Sequence, residues 1–360
     1  MSLELKHKYL SLFFIPELSL KDKSTLILSL DGIDNVLNGS VDCFKGDKSK
    51  LEVLRKRAKS DSIKTLVELE INFCNLNNIT LICFEEGHYP ERLKICYDPP
   101  IVLFVRTKTE LDWNAKMLSV IGTRRSTFYG TLACRELVES AAIFKPIIVS
   151  GFAIGIDLCA HKSALDYGLK TIAVVASDIT KPYPKQNHKH IEEILENGAF
   201  LSESSYRTQL KKFHFVKRNR LIAALSPATV VVESASRGGS LITANLAQSY
   251  GRLVYAVPGR LGDKFSLGCL DLICRNQAQL YRDIDQISQD LFWSKPVDNQ
   301  KKLSADLIEL LTCFKLHKFI YLQDILQRSK YSLNQIQGQL TTLEIRGLIC
   351  SNGQGGYKLK

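Results

Sequence analysis

The sequence predicts a doubly wound α/β domain with a mostly parallel sheet, and three observations carry that reading. Short β-branched runs alternate with helix-length stretches from residue 101 onward, the runs are apolar along nearly their whole length, and glycine-rich loops follow three of them. The runs fall at 101–105, 118–121, 146–150, 171–175, 199–202, 228–233 and 253–257. Strands that are apolar on both faces must be covered on both faces, and right-handed crossovers place helices there.

The flanks of this region read differently. Residues 1–96 form an N-terminal helical region and connector, with apolar residues at three- and four-residue spacing and a basic run, Arg55-Lys56-Arg57-Ala58-Lys59, on a solvated helix face. Pro90, Pro99 and Pro100 punctuate an extended passage into the sheet domain, which is expected over 97–285. A polar linker is expected at 286–302, and a compact tail at 303–360. In that tail a helix stopped by Gly347 and a hairpin tipped by Gly353 to Gly356 follow the plan of a winged helix.

Composition narrows the function. With 48 Lys and Arg against 37 Asp and Glu, the formal charge of +11 favours a polyanionic partner. The ten cysteines include no C-x-x-C pair and no zinc-spaced Cys/His array, so they read as reduced thiols of a cytoplasmic protein with no metal. No apolar run approaches the ~18 residues of a spanning helix, and the stretch from Leu10 is cut off by Pro16 before it could serve as a secretory core. Neither G-x-x-x-x-G-K-[ST] nor G-x-G-x-x-G occurs, so neither a P-loop NTPase nor a dinucleotide enzyme is expected; the missing motifs leave a bound mononucleotide open, and no cofactor is assigned.

In a doubly wound sheet, ligands bind beyond the C-terminal strand ends, where glycine lets backbone N–H groups approach an anion. Three loops fall there. The first carries Gly122, Thr123, Arg124, Arg125 and Ser126; the second Ser150, Gly151 and Gly155; the third Arg237, Gly238, Gly239 and Ser240. Each alone reads equally as a tight strand-to-helix turn, but three on one edge favour a phosphate cradle. The most basic segment, Lys211 to Arg220, holds five cations and no acid. Its Lys212, Phe213, Lys217, Arg218, Asn219 and Arg220 mix phosphate-tracking charge with a ring on which a base can stack, as single-stranded nucleic acid requires. The bland alternative is a helix start with core aromatics and solvated cations.

Six collinear blocks, V-I-G-T-R-R-S-x-x-Y-G, S-G-F-A-I-G-I-D-x-x-A-H, F-x-K-R-N-R-L-I-A-A-L-S, R-G-G-S-L-I-T-A, A-V-P-G and G-C-L-D-L-I, resemble the DprA/Smf family in order and spacing. The likeness is strong over about Ile79 to Leu280, moderate in the tail, and holds only in outline for the N-terminal helices, which it casts as SAM-like or helix-hairpin-helix-like. The resemblance implies an extended Rossmann domain that binds single-stranded DNA, dimerises and helps load the RecA recombinase in homologous recombination or natural transformation. It further implies that Arg124, Lys185, Lys212 and Arg218 to Arg220 contact phosphates, that Gly122, Ser150, Gly151, Gly239 and Ser240 line a pocket, and that Ile273 and Leu280 lie at the dimer contact. Two departures stand out: Ile154 replaces the family's arginine and Val216 its proline. The first removes a cation, which either weakens DNA affinity or shifts the burden to Arg125 or Lys217.

Two other functions compete. A LOG-type phosphoribohydrolase needs a carboxylate after its third loop to activate water, whereas here Thr243 is followed by Ala244 and Asn245, so no catalytic residue is expected. The remaining nearby acids read otherwise, Asp157 as a helix cap and Glu233 as a loop organiser. A duplex-binding regulator would read DNA with a tail helix over 333–344, but that helix offers Asn334, Gln335, Gln337 and Gln339 with no cation before Arg346.

Overall fold

The computed structural model describes residues 3–40, 48–294, 305–314, 320–345, 348–352 and 355–359. Residues 295–302 of the expected linker, Arg346, Gly347 and Gly353 lie outside them. The chain divides into two compact units, Met1–Trp293 and Ser294–Lys360.

The first unit opens with α1 (Leu3–Phe13), α2 (Leu20–Ser29), α3 (Ile33–Asn38), α4 (Lys48–Ala58) and α5 (Asp61–Leu76). A capping box between Ser19 and Asp22 starts α2, and α5 buries Ile63, Val67, Ile71 and Cys74, a stripe at helical spacing. There follow β1 (Ile79–Cys83), α6 (Glu91–Lys94) and β2 (Val102–Thr107). β1 departs from the helical reading of residues 1–96. A run of five residues directly after a helix has too little length for periodicity to separate strand from helix, and pairing with β2 decides it, Leu81 opposite Phe104.

The rest alternates strictly: β3 (Met117–Ile121), α7 (Phe128–Ala141), β4 (Ile147–Ser150), α8 (Ile156–Asp166), β5 (Thr171–Val174), α9 (Ile191–Glu196), β6 (Gly198–Ser202), α10 (Lys212–Leu225), β7 (Ala228–Val231), α11 (Gly239–Ser249), β8 (Leu253–Ala256), α12 (Leu267–Cys274), β9 (Gln279–Leu280) and α13 (Ile284–Asp290). The sheet order is β1-β2-β6-β5-β4-β3-β7-β8-β9. From β6 to β9 every neighbouring pair is parallel, while β2 runs antiparallel to β6 with Val105 opposite Leu201. The mostly parallel, doubly wound sheet expected from the alternation is therefore present.

Alternating strand residues feed two cores. Leu118, Val120 and Ile148 pack with α7, α8 and α13 on one face, whereas Met117, Ile121 and Val149 pack with α10, α11 and α12 on the other. The chain builds outward from β3 through β4 and β5 to β6, then returns to lay β7 on the opposite side of β3. Ser119 is accordingly flanked by Val149 and Thr229. Crossovers part at such a reversal and leave a crevice beyond the strand ends.

The second unit contains α14 (Ala305–Thr312), β10 (Ile320–Tyr321), α15 (Leu322–Arg328), α16 (Leu333–Ile345), β11 (Ile349–Ser351) and β12 (Gly356–Leu359). Its strands form an antiparallel sheet in the order β10-β12-β11, and Leu310, Ile325, Ile336, Leu340 and Leu343 supply its core.

His161, in the second sequence block, is fully buried on α8. Thr171 Oγ1 donates to the Ile148 carbonyl at 2.8 Å, so the 2.6 Å contact to His161 Nδ1 is donated by the imidazole. Burial pushes the ring's pKa down to about 3, so it is neutral in the folded chain. An unfolded histidine, with a pKa near 6.5, binds a proton that the folded one refuses. The stabilisation is complete above that value and is lost as pH falls below it, with a slope of up to roughly 1.4 kcal/mol per pH unit. Denaturant unfolding followed from pH 7 to 4 is expected to show this decline, and His161→Gln to flatten it; an equal slope in both proteins would contradict the assignment.

Candidate nucleic-acid interface

A cleft of about 330 Å³ opens at the reversal between β3 and β7, walled by the first and third loops and by α10. Its construction starts with Glu233, which is buried at the end of β7 and ties two loops together. The Glu233 carboxylate accepts from Thr127 N at 2.9 Å and Thr127 Oγ1 at 2.5 Å, and its carbonyl accepts from Thr123 N at 2.8 Å. Thr127 in turn caps α7 by accepting from Gly130 N at 3.1 Å. With both carboxylate oxygens engaged by Thr127, Glu233 organises the loops.

The second loop passes under the cleft. Gly155 has φ +83°, and a Cβ there would lie 2.4 Å from the Thr123 carbonyl, so glycine alone lets the first two loops touch. At Gly151 a Cβ would fall 2.0 Å from Arg218 Nη1 and 2.5 Å from Asp157 Oδ2, so the missing side chain is the space these two groups occupy. Phe152 holds the left-handed conformation at φ 59°, with its carbonyl clamped by buried Asn187 Nδ2 at 2.9 Å. That clamp joins the second loop to the segment bearing Lys185. Ser150, expected to line the pocket, is instead fully buried and donates its hydroxyl to the Val120 carbonyl at 2.6 Å, so it is not among the lining residues.

α10 supplies one wall. Its Phe215, Arg218, Asn219 and Ile222 recur at helical spacing and all line the cleft. Arg218 is buried; Nη1 donates to the Val174 carbonyl at 2.7 Å and Nε has no partner. Burial brings its pKa down to about 10, which leaves it charged at neutral pH, with Asp157 opposing the shift. Burial likewise raises the Asp157 carboxyl, and Arg218 is the main group resisting that rise. Asp157 thus forms part of the cleft floor rather than the helix cap read from sequence: the N-cap of α8 is Gly155, with no side-chain hydrogen bond, and Asp157 Oδ2 accepts from Ala153 N at 3.4 Å. Arg124 lies over the Phe215 ring at 5.4 Å, and Tyr183 meets the same ring edge-on at 5.6 Å.

The sequence-predicted residues separate into groups. Gly122, Thr123, Arg124, Arg218, Asn219, Gly238, Gly239 and Ser240 line the cleft. Gly151 and Arg124 also border a smaller hollow with Ile154, Tyr183 and Pro184, next to exposed Lys185. Arg125, Lys212 and Phe213 are exposed, Phe213 to 57%, while Lys217 is half-buried. Arg237 faces a neighbouring cleft of about 370 Å³, which it shares with Asp271 and Arg275. Ser126 is half-buried and lies within 3.4 Å of Thr131 Oγ1.

Arg220 stands apart. Two residues beyond Arg218 and about 200° around the helix, it is buried in an ion pair with Glu203 and Asp98. Tyr250 donates to the same Asp98 at 2.7 Å. Here Arg220 fastens the proline-rich connector and the end of β6 to α10. Leu280 is 46% exposed on β9, and Ile273 is half-buried on α12. The apolar cleft wall of Val216, Ile222 and Ile242 is not marked in the sequence, although the four- and three-residue spacing of Phe215, Asn219 and Ile222 on α10 is a signal for one helix face.

Residues 80–292 match the family of DNA recombination-mediator protein A. The DNA processing protein DprA of Bacillus subtilis is 30% identical over 296 residues, covering 77% of this chain and 97% of that protein. DprA of Streptococcus pneumoniae is 39% identical over 185 residues, 51% of this chain and 65% of that protein. The X-ray structure of the Streptococcus pneumoniae protein superposes with a TM-score of 0.60 at 29% identity, covering 79% of this chain and 93% of that one. A Helicobacter pylori DprA structure, which concerns a single-stranded DNA binding mode, gives 0.53 at 32% identity, with 59% and 95% covered.

Removing one partner of a buried ion pair strands the other, at a typical cost of about 3–5 kcal/mol. Arg220→Ala is therefore expected to lower unfolding free energy by roughly that amount, read by denaturant melts. A stability unchanged from the parent would mean that Arg220 holds no structural bridge.

Proposed function

The chain belongs to the DNA recombination-mediator protein A family, and from that premise we propose that it grips single-stranded DNA by the sugar-phosphate chain along the C-terminal rim of its sheet. One observation carries the reading: Arg124, Phe215, Arg218 and the N-terminal end of α11 converge on one cleft at the strand-order reversal. Exposed Arg125, Lys185, Lys212 and Phe213 extend the surface on the same side of the sheet, where cations track phosphates and a ring can stack a base. Binding is electrostatic positioning with no covalent step, and the bound strand is handed to a RecA-class recombinase in recombination or in the uptake of foreign DNA. The relatives named as DNA processing proteins support that assignment.

A homodimer completes the proposal. β9 ends the sheet among the described residues, and Leu280 lies half-exposed on it, so an open strand edge and an apolar side chain together offer a surface to a second copy. Leu280→Glu is expected to shift the protein to monomer in sedimentation velocity; an unaltered sedimentation coefficient would move the contact elsewhere.

Neutralising about four phosphates per protomer, at a slope of roughly −0.7 per contact for single strands, predicts an affinity loss of about fifty-fold for a four-fold rise in salt. Arg124→Ala is expected to weaken binding to all sequences alike and to flatten that slope by about one contact. Fluorescence anisotropy across a salt series measures both, and a salt-insensitive complex would defeat the proposal.

A further inference from the structure

Two cysteines meet across the seam between α7 and α8, the helices that follow the first and second loops. Cys134 lies on α7 and Cys159 on α8, and their contacts cross. Cys159 Sγ donates to the Thr131 carbonyl at 3.6 Å, while Cys134 Sγ lies 3.9 Å from the Ile156 carbonyl. Each sulfur therefore touches the backbone of the other's helix, three residues before the opposite cysteine. A side chain as short as cysteine reaches a neighbouring backbone only where the two helices come close together. Close approach is also what a disulfide requires, with Cα atoms roughly 4.4–6.8 Å apart.

The two thiols have different chemistry. They share a hydrogen bond that raises Cys134 and lowers Cys159, so Cys134 is the donor and the Cys159 sulfur the acceptor. Ser163 donates to the same sulfur, and Arg135 and Lys162 add positive charge near it; against the effect of burial, these bring Cys159 down to about 7. Much of Cys159 is then thiolate at neutral pH, the form that reacts. Access runs the same way, since Cys159 is half-buried and Cys134 fully buried. Other buried thiols of the chain stand apart: burial pushes Cys74 and Cys269 up to about 12 and raises Cys96, which makes them inert.

We propose that Cys134 and Cys159 are an oxidisable pair, in which Cys159 takes the first oxidising equivalent from a hydroperoxide and Cys134 resolves it as a disulfide joining α7 to α8. In the first step the Cys159 thiolate attacks one peroxide oxygen. An S–O bond forms, the O–O bond breaks, and the departing oxygen takes up the proton that Cys159 released, leaving as water or an alcohol. In the second step the Cys134 sulfur attacks the Cys159 sulfur; the S–O bond breaks, and hydroxide leaves as water with the Cys134 proton. Two thiols are oxidised to one disulfide and one hydroperoxide is reduced. The cross-link ties together the two helices whose loops already touch, where Ile156 N donates to the Thr123 carbonyl at 3.2 Å.

The test uses the full chain, reduced and then freed of reductant, with hydrogen peroxide as the probe. After a short exposure at neutral pH the remaining thiols are alkylated, and peptide mapping without reduction reads the products. A pair of peptides linking Cys134 to Cys159 is expected, lighter by two hydrogen atoms than the separate peptides and released by reductant. It should form about threefold faster than Cys274 is modified, because the gain in thiolate outweighs the loss of nucleophilicity that comes with a lower pKa. Exposure alone would favour Cys274, which is exposed, so this order reports activation and not access. Cys134→Ser is expected to leave Cys159 as a sulfenic acid that dimedone captures, and Cys159→Ser to leave Cys134 unmodified. The map of the parent protein decides the matter even where a substituted chain fails to fold. Modification of Cys274 ahead of an intact pair overturns the proposal, as does Cys159 reaching the sulfinic acid while Cys134 stays free. Dimedone capture at Cys134 in Cys159→Ser would overturn the assignment of roles.

Discussion

Reversal of strand order at β3 creates the opening on which the site depends. The loops after β3 and β7 lead into helices on opposite faces of the sheet, α7 on one and α11 on the other, so no crossover covers the ground between them. A gap of that kind in a small domain would ordinarily close by collapse. Here Glu233 props it, because its carboxylate and carbonyl fix the first loop relative to the end of β7. Gly151 and Gly155 then let the second loop slide beneath, close enough for Arg218 and Asp157 to form the base of the opening.

α10 shows how one basic segment can serve two ends. Residues facing the cleft, Phe215 and Arg218 among them, build its wall. Those on the far side, above all Arg220, belong to the scaffold through Glu203 and Asp98. Exposed Lys212 and Phe213 precede both, in the first turn. A row of cations in sequence is thus distributed over three environments by the 100° turn of the helix, and only position on the wheel separates a cleft-lining cation from a structural bridge.

Much of this was legible beforehand. Continuous β-branched runs such as Ile147–Ser150 and Thr171–Val174 announce central parallel strands because both of their faces must be covered, and glycine after a strand announces close backbone approach. What stayed hidden depends on contacts far apart in the chain. β1 is a strand because β2 pairs with it, and β2 is antiparallel because the neighbour it finds is β6. Arg220 looks like a DNA contact until Asp98, more than a hundred residues earlier, is seen beside it. The hydrocarbon lining of the cleft is likewise assembled from β3, α10 and α11, and no local pattern marks Ile121, Ile222 and Ile242 as neighbours.

The Asn187 clamp on the Phe152 carbonyl has a kinetic side. It joins the second loop to the segment carrying Lys185, so that two stretches of the rim distant in sequence are tied to each other at one buried point. A flexible polyanion arriving at such a rim gives up its own conformational freedom while the protein gives up little. Under the proposed single-strand binding, encounter then proceeds to a seated complex without a prior loop rearrangement, and long-range attraction to the exposed cations sets the rate of capture.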